Sequence, residues 1–448
     1  MARQFIKANH EDVLESRIRL GDVLPADHLA RFVVKVIGEL DLQSIYGRYK
    51  EQGGAAYEPE LLLGLLIYGY ATGIFSSRKI ERSTYESIPF IYIAGGQHPD
   101  HDTINTFRSQ FLEELKELFV QVLLVAQAMQ LLKLGTISLD GSKVHADASK
   151  SKAVSYQHLL KQEVKLNQEV AALFALADGA EQFPDLDIEH ELRIRQQHLA
   201  GLSEAKAVLV MRAEARHAQE TAEYEAKLAA REEKAKETGK KPGGRPPQPP
   251  TPGPRDKDQY NFTDPQSRIM KEGNSHAFEQ CYNGQIAVDQ TSRLIVANTL
   301  SDHPTDQQEA LPTVDAIPPA LGIPPAAALD AGYFSQKNVT GLEERGIAPY
   351  IAVGREAHHP SWQEQMQPLV EPPADAPLSV KMAYKLKTEI GRLIYAARKS
   401  TVEPVIGIIK EVLGFRQFSL RGLVKAAGEW SLVCLVYNIK RMHTLATA

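Results

Sequence analysis

Three acidic residues stand where a carboxylate could serve as a catalytic group. Asp330 ends the apolar run 326–329, and such a run followed by Asp-Ala-Gly predicts a buried strand whose last residue points into a crevice. Asp140 lies in another strand-like stretch, and Glu403 lies in a helix-like one. Carboxylates suit hard cations such as Mg²⁺ and Mn²⁺. Two such ions about 4 Å apart can activate a water or a 3′-hydroxyl at a phosphodiester, so the three residues predict that chemistry.

Other titratable residues compete for these roles. Asp147 is an alternative for the first carboxylate, and Asp302 ends a predicted hairpin strand that could lie near the site. Glu389 is a poorer third carboxylate, because no lysine follows it seven residues on. His145 and His303 are expected to be hydrogen-bonded strand residues, since Mg²⁺ sites favour oxygen. A single Asp at a strand end is most often a turn or cap residue, so the prediction depends on all three acids together.

Hydrophobic periodicity predicts the elements that carry these residues. Residues 1–130 are expected to be mostly helical, and a long helix over 115–134 should end at Gly135 as a C′ glycine. Short helices joined by tight turns fit a DNA-reading helix-turn-helix domain and a helical packing domain about equally well. The basic residues expected on their surface are Arg78, Lys79, Arg82 and Arg108.

The catalytic region is predicted to be a mixed sheet flanked by helices, built from residues 131–150 and 257–448. Asp140 belongs to a β-branched, alternating stretch, in which Gly141 would permit a bend or bulge. The other strands are expected at 278–289, 294–302, 326–330 and 349–354, and the helices at 307–316, 336–345, 380–399, 401–413 and 430–442.

The surroundings of Glu403 suggest a helix start. Thr401 could cap the helix, and Pro404 would fall in the first turn, where its missing N–H is harmless. Lys410 follows Glu403 by seven residues, or two helical turns, so both side chains would lie on one face. An acid for a metal and a base for a phosphate backbone would then point the same way.

Residues 151–236 differ from the rest of the chain. They are rich in Ala, Glu, Lys, Gln and Arg with few turn signals, which is typical of a helical hairpin or coiled coil inserted into the sheet. Residues 237–256 are dense in Pro and Gly and predict a flexible loop with polyproline character. An oligomerisation scaffold is one function that the insertion could have.

Composition limits the classes of protein that remain. The two cysteines, Cys281 and Cys434, predict buried thiols in a reducing compartment. The start has no apolar signal region and the apolar stretches are too short to span a bilayer, which predicts a cytoplasmic protein. The net charge is −5, but the chain from Ser379 onward contains twelve Lys or Arg residues and only four Asp or Glu residues. That local excess is an electrostatic footprint for a polyanion, although a solvated basic face is the commoner case.

The acidic motifs also carry a family resemblance. Asp140 in Ser-Leu-Asp-Gly-Ser-Lys, Asp330 in Leu-Asp-Ala-Gly-Tyr-Phe-Ser and the series Tyr395, Arg398, Glu403, Lys410 resemble the DDE transposases of bacterial insertion sequences. These enzymes have a ribonuclease H-like catalytic core, and this group has a Tyr-Arg-Glu-Lys signature. Residues 66–107 resemble the helical N-terminal domain that accompanies that core. The resemblance covers most of the chain except the insertion and its Pro-rich loop.

The resemblance implies roles for residues of this chain. Asp140, Asp330 and Glu403 would be the catalytic, metal-binding triad for Mg²⁺ or Mn²⁺, with two ions. Tyr395 would contact the transposon end, and Arg398 and Lys410 its phosphates. The family has three residues between Arg and Glu, whereas four separate Arg398 from Glu403, so Lys399 is an alternative base. Relatives use a Trp near the second Asp to hold a flipped base, and Tyr333 could take its place.

The expected reaction is cleavage at insertion-sequence ends, followed by attack of the freed 3′-hydroxyl on target DNA. The partners would be double-stranded DNA, at the transposon ends and the target, and a second copy of the chain, since two ends are handled together. The DNA-bound enzyme would be associated with the bacterial nucleoid, and residues 1–130 would bind the DNA ends. Two alternatives are a nuclease of the same fold that only hydrolyses, and an inactive or domesticated DNA-binding protein.

Overall fold

A computed structural model describes residues 20–49, 56–177, 187–238, 243, 245–271, 277–354 and 369–447. The first part of the chain is helical, as predicted. Its helices are α1 (Leu20–Val23), α2 (Leu29–Ile37), α3 (Gln43–Tyr46), α4 (Pro59–Ala71), α5 (Ser77–Glu86), α6 (Ile88–Ile93), α7 (His101–Gln110) and α8 (Leu112–Ala128). Local signals account for several starts: the side chains of His28 and Asp100 cap α2 and α7, and Pro59 opens α4.

The expected end of the long helix at Gly135 was wrong. Helix α8 ends at Ala128, and Gln130 takes up the turn with a positive φ of 60°. The backbone N–H groups of Leu131 and Leu132 then donate to Ala126. Apolar periodicity continues past the helix because Leu132, although not helical, is also buried in the core. The pattern therefore reports burial there rather than helix.

The central sheet has six strands. They are β1 (Ile137–His145), β4 (Arg268–Lys271), β5 (Phe278–Asp289), β6 (Ile295–Ser301), β7 (Ala326–Leu329) and β8 (Ala348–Ile351), with β2 (Ala153–Ser155) and β3 (Gln259–Asn261) forming a separate pair. The order is β5-β1-β7-β8. On the edge of β5 away from β1, β4 pairs with the first part of the strand and β6 with the rest. Strand β5 is antiparallel to β1, whereas β7 and β8 run parallel to it, so the sheet is mixed as predicted.

The pairing of β1 with β5 is continuous through Asp140 and Gly141. The bulge allowed there by the sequence is absent from this pair, and the register shift lies instead between Ala287 and Val288, where β5 meets β6. Gly141 serves a different purpose. A Cβ at this position would lie 2.1 Å from Nε2 of Gln285, so glycine is needed for the close approach of that amide.

Helices pack against both the antiparallel and the parallel strands of the sheet. They are α11 (Ala310–Asp315), α12 (Gln336–Glu344), α13 (Leu378–Lys387), α14 (Glu389–Gly407) and α15 (Leu423–Thr447), and a π-helical turn, Ile408–Val412, continues α14. The expected break near Ser400 was wrong: the chain breaks at Thr388, whose side chain caps α14 by accepting from Gly391 N–H. Glu403 and Pro404 therefore lie inside a helix. Burial of Val402 and Val405 holds the helix together through the proline.

One hydrophobic core joins the N-terminal helices to the sheet, and α15 lies at its centre. This helix packs against α8 on one side and β6 on the other. A buried polar network crosses the same boundary: Tyr70 donates to Glu429 at 2.9 Å, and Arg108 donates to Tyr70 at 3.0 Å. Arg108 was expected on the surface, but only 6% of it is exposed. It is a structural residue rather than a DNA contact.

The insertion folds as a helical hairpin of α9 (Tyr156–Ala177) and α10 (Ile188–Thr238). It has a small core of its own, in which Leu159, Leu202 and Leu209 are buried. Arg216 of α10 pairs with Asp258 at 3.0 Å, and the end of the Pro-rich segment lies on α10 through an Arg216–Gly253 hydrogen bond. Among the described residues, no helix is long and apolar enough to cross a membrane.

Candidate active site

Asp140 and Asp330 occupy matching positions on neighbouring parallel strands. Leu139 of β1 pairs with Leu329 of β7, so the next residue of each strand is one of the two aspartates. Neighbouring strands lie about 4.8 Å apart, which sets the spacing of their backbones. The side chain of Asp330 accepts a hydrogen bond from Gly332 N–H at 2.8 Å in the turn that follows β7. Asp330 therefore lies at the end of a buried strand, as the sequence predicts.

Arg398 brings the third acid to the first. Helix α14 lies across the sheet, and the guanidinium of Arg398 donates from Nη1 to Oδ2 of Asp140 at 2.9 Å and from Nη2 to Oε1 of Glu403 at 3.3 Å. Only 8% of Arg398 is exposed, whereas about half of the Glu403 side chain is. Thr401 fixes the helix on β1, because its hydroxyl donates to Ser138 Oγ at 2.9 Å. Helix α14 thus forms an ion-paired cluster with β1, in which Arg398 contacts both Asp140 and Glu403.

The environment of Asp140 disfavours its charge. Burial raises the pKa of the Asp140 carboxyl to about 6, Arg398 opposes this shift, and the neighbouring Asp330 and Asp306 add to it. A group with these surroundings is stabilised by any cation that approaches it. The site therefore has the electrostatic character of a cation-binding site, and in this conformation Arg398 supplies the positive charge.

The raised pKa of Asp140 has a consequence for stability without metal. Since the native carboxyl binds its proton more tightly than the unfolded one, the contribution of Asp140 to the free energy of unfolding should fall as pH rises from about 4 to about 6 and then level off. We expect Asp140→Asn to remove about 1–3 kcal/mol of this decline. Urea unfolding in a chelator across that range measures it, with the exposed Asp375→Asn as control. Equal slopes for wild type and Asp140→Asn would contradict the expectation.

Behind the carboxylates lies a polar cluster that the sequence did not reveal. Oδ1 of Asp306 accepts from Asn283 at 2.7 Å, from Gln285 at 2.9 Å and from Lys143 at 3.1 Å. Gln285 in turn accepts from the hydroxyl of Tyr333 in the turn after Asp330. Asp306 lies four residues beyond Asp302, in a polar loop with no distinguishing local pattern. Only the pairing of β5 with β1 brings its partners to the site.

The structure corrects the role considered for Tyr333. This side chain is fully buried, and burial raises the pKa of its hydroxyl. A residue enclosed in this way cannot hold a flipped base. Its hydrogen bond to Gln285 instead ties the turn that carries Asp330 to strand β5.

The basic residues of the signature have different surroundings. Lys410, in the π-helical turn, donates from Nζ to the backbone oxygen of Lys143 at 2.8 Å. Lys399, one helical turn before Glu403, is exposed, whereas Arg398 is turned inward, with its Cζ 5.9 Å from the centre of the Tyr395 ring. The extra residue between Arg398 and Glu403 still leaves the two side chains in contact.

The competing residues have other partners. Asp147 pairs with Arg421 at 2.8 Å, and Asp302 pairs with Arg268. His303 lies in a loop rather than a strand and bonds to Glu309, which raises the pKa of its imidazole. His145 ends β1, and its backbone N–H and C=O bond to the 416–418 segment. Glu389 is exposed at the start of α14.

Trp430 of α15 is buried against β5. Its ring packs so closely on Gly284 that a Cβ there would lie 2.9 Å from it. Trp362 lies outside the described residues. Cys281 and Cys434 are both buried free thiols, as predicted.

The donor set suits a divalent metal ion in its chemistry. Asp140, Asp330 and Glu403 supply oxygen ligands of the kind that Mg²⁺ and Mn²⁺ prefer. In the part of the chain that is described, no three His, Cys, Asp or Glu side chains converge closely enough to hold a metal. The reason is visible at the site: Arg398 separates Asp140 from Glu403, and Asp330 is turned toward Gly332.

A mixed sheet with two aspartates on adjacent parallel strands and a glutamate on a covering helix defines a ribonuclease H-like core of the DDE class. Family comparison agrees. Residues 248–439 match the transposase DDE domain, and residues 18–110 match a second transposase domain, DUF772. Both matches are to transposase domains, so the chain is a transposase of insertion-sequence type, an enzyme that acts on DNA. The DDE family generally uses divalent metal ions. No curated protein and no solved structure matches it.

The family matches leave parts of the chain uncovered. Residues 111–247, which include β1 with Asp140 and the helical insertion, lie in neither match. Asp330 and Glu403 lie within the DDE match. The place of Asp140 in the site therefore depends on the register of β1 with β7.

Proposed function

We propose that this transposase cleaves DNA at the ends of its own element and joins the freed 3′-hydroxyl to target DNA. Asp140, Asp330 and Glu403 are the catalytic residues and the metal ligands. The observation that carries this proposal is the matching position of Asp140 and Asp330 on adjacent parallel strands, with Glu403 joined to Asp140 through Arg398. Bound Mg²⁺ or Mn²⁺, two ions in all, would supply Lewis acidity at the scissile phosphate and an activated nucleophile.

The protein's own contribution is to place these acids and to hold the DNA. Asp140 and Asp330 are fixed on the sheet, because Gln285 and Tyr333 brace the strand and turn behind them. Glu403 comes from α14, which Thr401 fixes on β1. Lys399 lies one helical turn before Glu403 and Lys410 lies seven residues after it. Both lysines and Tyr395 would bind the scissile strand, the lysines at its phosphates.

DNA binding also involves the N-terminal helices in this proposal. Arg78 and Lys79 are exposed on α5, and the turn before this helix packs on the segment after Lys410, where Gly73 lies near Leu413 and Phe75 packs against Phe415. A helix with two exposed basic side chains is thus attached to the edge of the catalytic core. It would bind the element's ends while the core acts on them, and two copies of the chain would hold two ends. The working enzyme would be associated with the nucleoid.

The test uses linear DNA that carries the element's own two ends, with Mg²⁺ or Mn²⁺ and an unrelated target plasmid. Cleavage at the ends together with joined products would support transposition. Cleavage with no joined product would favour the hydrolytic nuclease. Specific binding of the ends without cleavage would favour a domesticated DNA-binding protein.

The exposed Lys399 gives a test of the DNA surface. Each phosphate contact contributes about 0.9 to the slope of log affinity against log salt concentration for B-DNA. Lys399→Met should therefore lower that slope by about 1 and weaken binding to any sequence similarly. Fluorescence anisotropy at several salt concentrations measures the slope, with Lys161→Met on the insertion as control. An unchanged slope would remove Lys399 from the proposed surface.

A further inference from the structure

The guanidinium of Arg398 occupies the place between two carboxylates that a metal would need. Its two terminal nitrogens bond to Asp140 and Glu403, which lie 263 residues apart in the sequence. A divalent ion of this type needs its oxygen ligands to converge on one point at about 2.1 Å. The guanidinium instead keeps the two oxygens on separate nitrogens. The two arrangements of the carboxylates are therefore mutually exclusive.

Charge leads to the same conclusion. A fixed guanidinium charge beside a divalent ion is repulsive, and burial reduces the screening by solvent. Arg398 is largely enclosed and Arg side chains do not deprotonate in proteins, so its charge stays in place unless the side chain moves. Metal binding at Asp140 and Glu403 thus requires displacement of Arg398.

The structure offers the Arg398 side chain a place to move to when it leaves the two acids. Glu403 is half exposed, so the guanidinium has an open side at that carboxylate. The ring of Tyr395, one turn earlier on α14, already lies 5.9 Å from the guanidinium and can receive a cation on its face. A phosphate near Tyr395 would be a suitable partner, because the planar fork of Arg matches phosphate geometry.

We propose that Arg398 is a positioning residue that competes with divalent metal for Asp140 and Glu403. It holds the two acids together in the free enzyme and must leave them before metal is bound. Metal loading is thereby linked to whatever draws Arg398 away, of which a DNA phosphate is the expected example. This inference rests on the proposed function, since it takes Asp140 and Glu403 as metal ligands.

The test measures Mn²⁺ binding to the full chain without DNA, by electron paramagnetic resonance at about pH 8, where Asp140 is charged. Arg398→Met should bind Mn²⁺ on the order of tenfold more tightly than wild type, because a competing cation has been removed. Arg392→Met removes the same charge from an exposed position of the same helix and should leave the affinity unchanged. Damage to the fold would weaken binding, so tighter binding separates competition from a structural role.

Two additional variants keep each outcome interpretable. Arg398→Lys retains the charge but cannot bridge both acids, so its Mn²⁺ affinity should lie between those of wild type and Arg398→Met, and it serves if the latter does not fold. Equal or weaker Mn²⁺ binding by a folded Arg398→Met or Arg398→Lys would overturn the competition. Asp140→Asn tests the metal site itself: if it binds Mn²⁺ as wild type does, the proposed ligands fail independently of Arg398.

Discussion

Asp330→Asn should lower the rate of end cleavage by about 10³-fold or more. A metal ligand that stabilises charge in the transition state contributes several kcal/mol, and each 1.36 kcal/mol corresponds to about tenfold in rate. The fold should survive, because Asn keeps the oxygen that accepts from Gly332 N–H in the turn. The loss would therefore belong to chemistry rather than to unfolding.

The measurement is single-turnover cleavage of end-bearing DNA, together with binding of the same DNA in the absence of metal. Asp375→Asn makes the same chemical change at an exposed position and should cleave as wild type does. Binding of the ends by Asp330→Asn should stay within about threefold of wild type, since the lost charge is one acid and not a basic contact. Cleavage by Asp330→Asn within tenfold of wild type would exclude Asp330 as a catalytic ligand.

Glu429→Leu is expected to be the most damaging of the structural substitutions. Glu429 is fully buried, and its carboxylate accepts from Tyr70 at 2.9 Å and from the backbone N–H groups of Ser419 and Leu420. Removing it leaves Arg108 as a buried charge without its compensating acid. Removing one charge of a directly bonded buried pair costs about 3–5 kcal/mol. Here Tyr70 links the two charges, and we expect a loss at the lower end of that range.

Urea unfolding of three variants tests this interpretation. Glu429→Leu should lose the full amount, and Glu429→Gln should lose less because it retains acceptor oxygen. The double variant Glu429→Leu with Arg108→Met should recover part of the loss, because no uncompensated charge remains. If Glu429→Leu unfolds within about 1 kcal/mol of wild type, the network does not stabilise the junction between the N-terminal helices and the sheet.

Much of the sheet could be predicted because its signals are local. The hairpin of β5 and β6 has a clear turn, and the observed strands lie within a residue or two of the prediction. Helix α14 was predicted less well. Pro404 suggested a helix start, but a proline is tolerated inside a helix when tertiary packing is strong enough, and no local pattern reveals the burial of Val402 and Val405.

The candidate site, too, could be predicted only in part from the sequence. Asp140 and Asp330 could be proposed because each follows its own strand signal, and the structure places them in matching register. The clustering of Asp306 with Asn283 and Gln285 depends on strand pairing, which a local pattern does not specify. The inward position of Arg398 depends on the approach of α14 to β1, which only the assembled core determines.

The central position of α15 also determines how the fold can be reached. Residues 423–447 cover apolar surfaces of both α8 and β6, and about 300 residues separate α15 from α8 in the sequence. Contacts between such distant segments form late and slow folding. Until α15 docks, the emerging chain keeps Leu115, Val122 and the β6 face in water, in a state prone to aggregation. During synthesis of this transposase we therefore expect an incomplete form, in which these apolar surfaces stay uncovered until α15 docks.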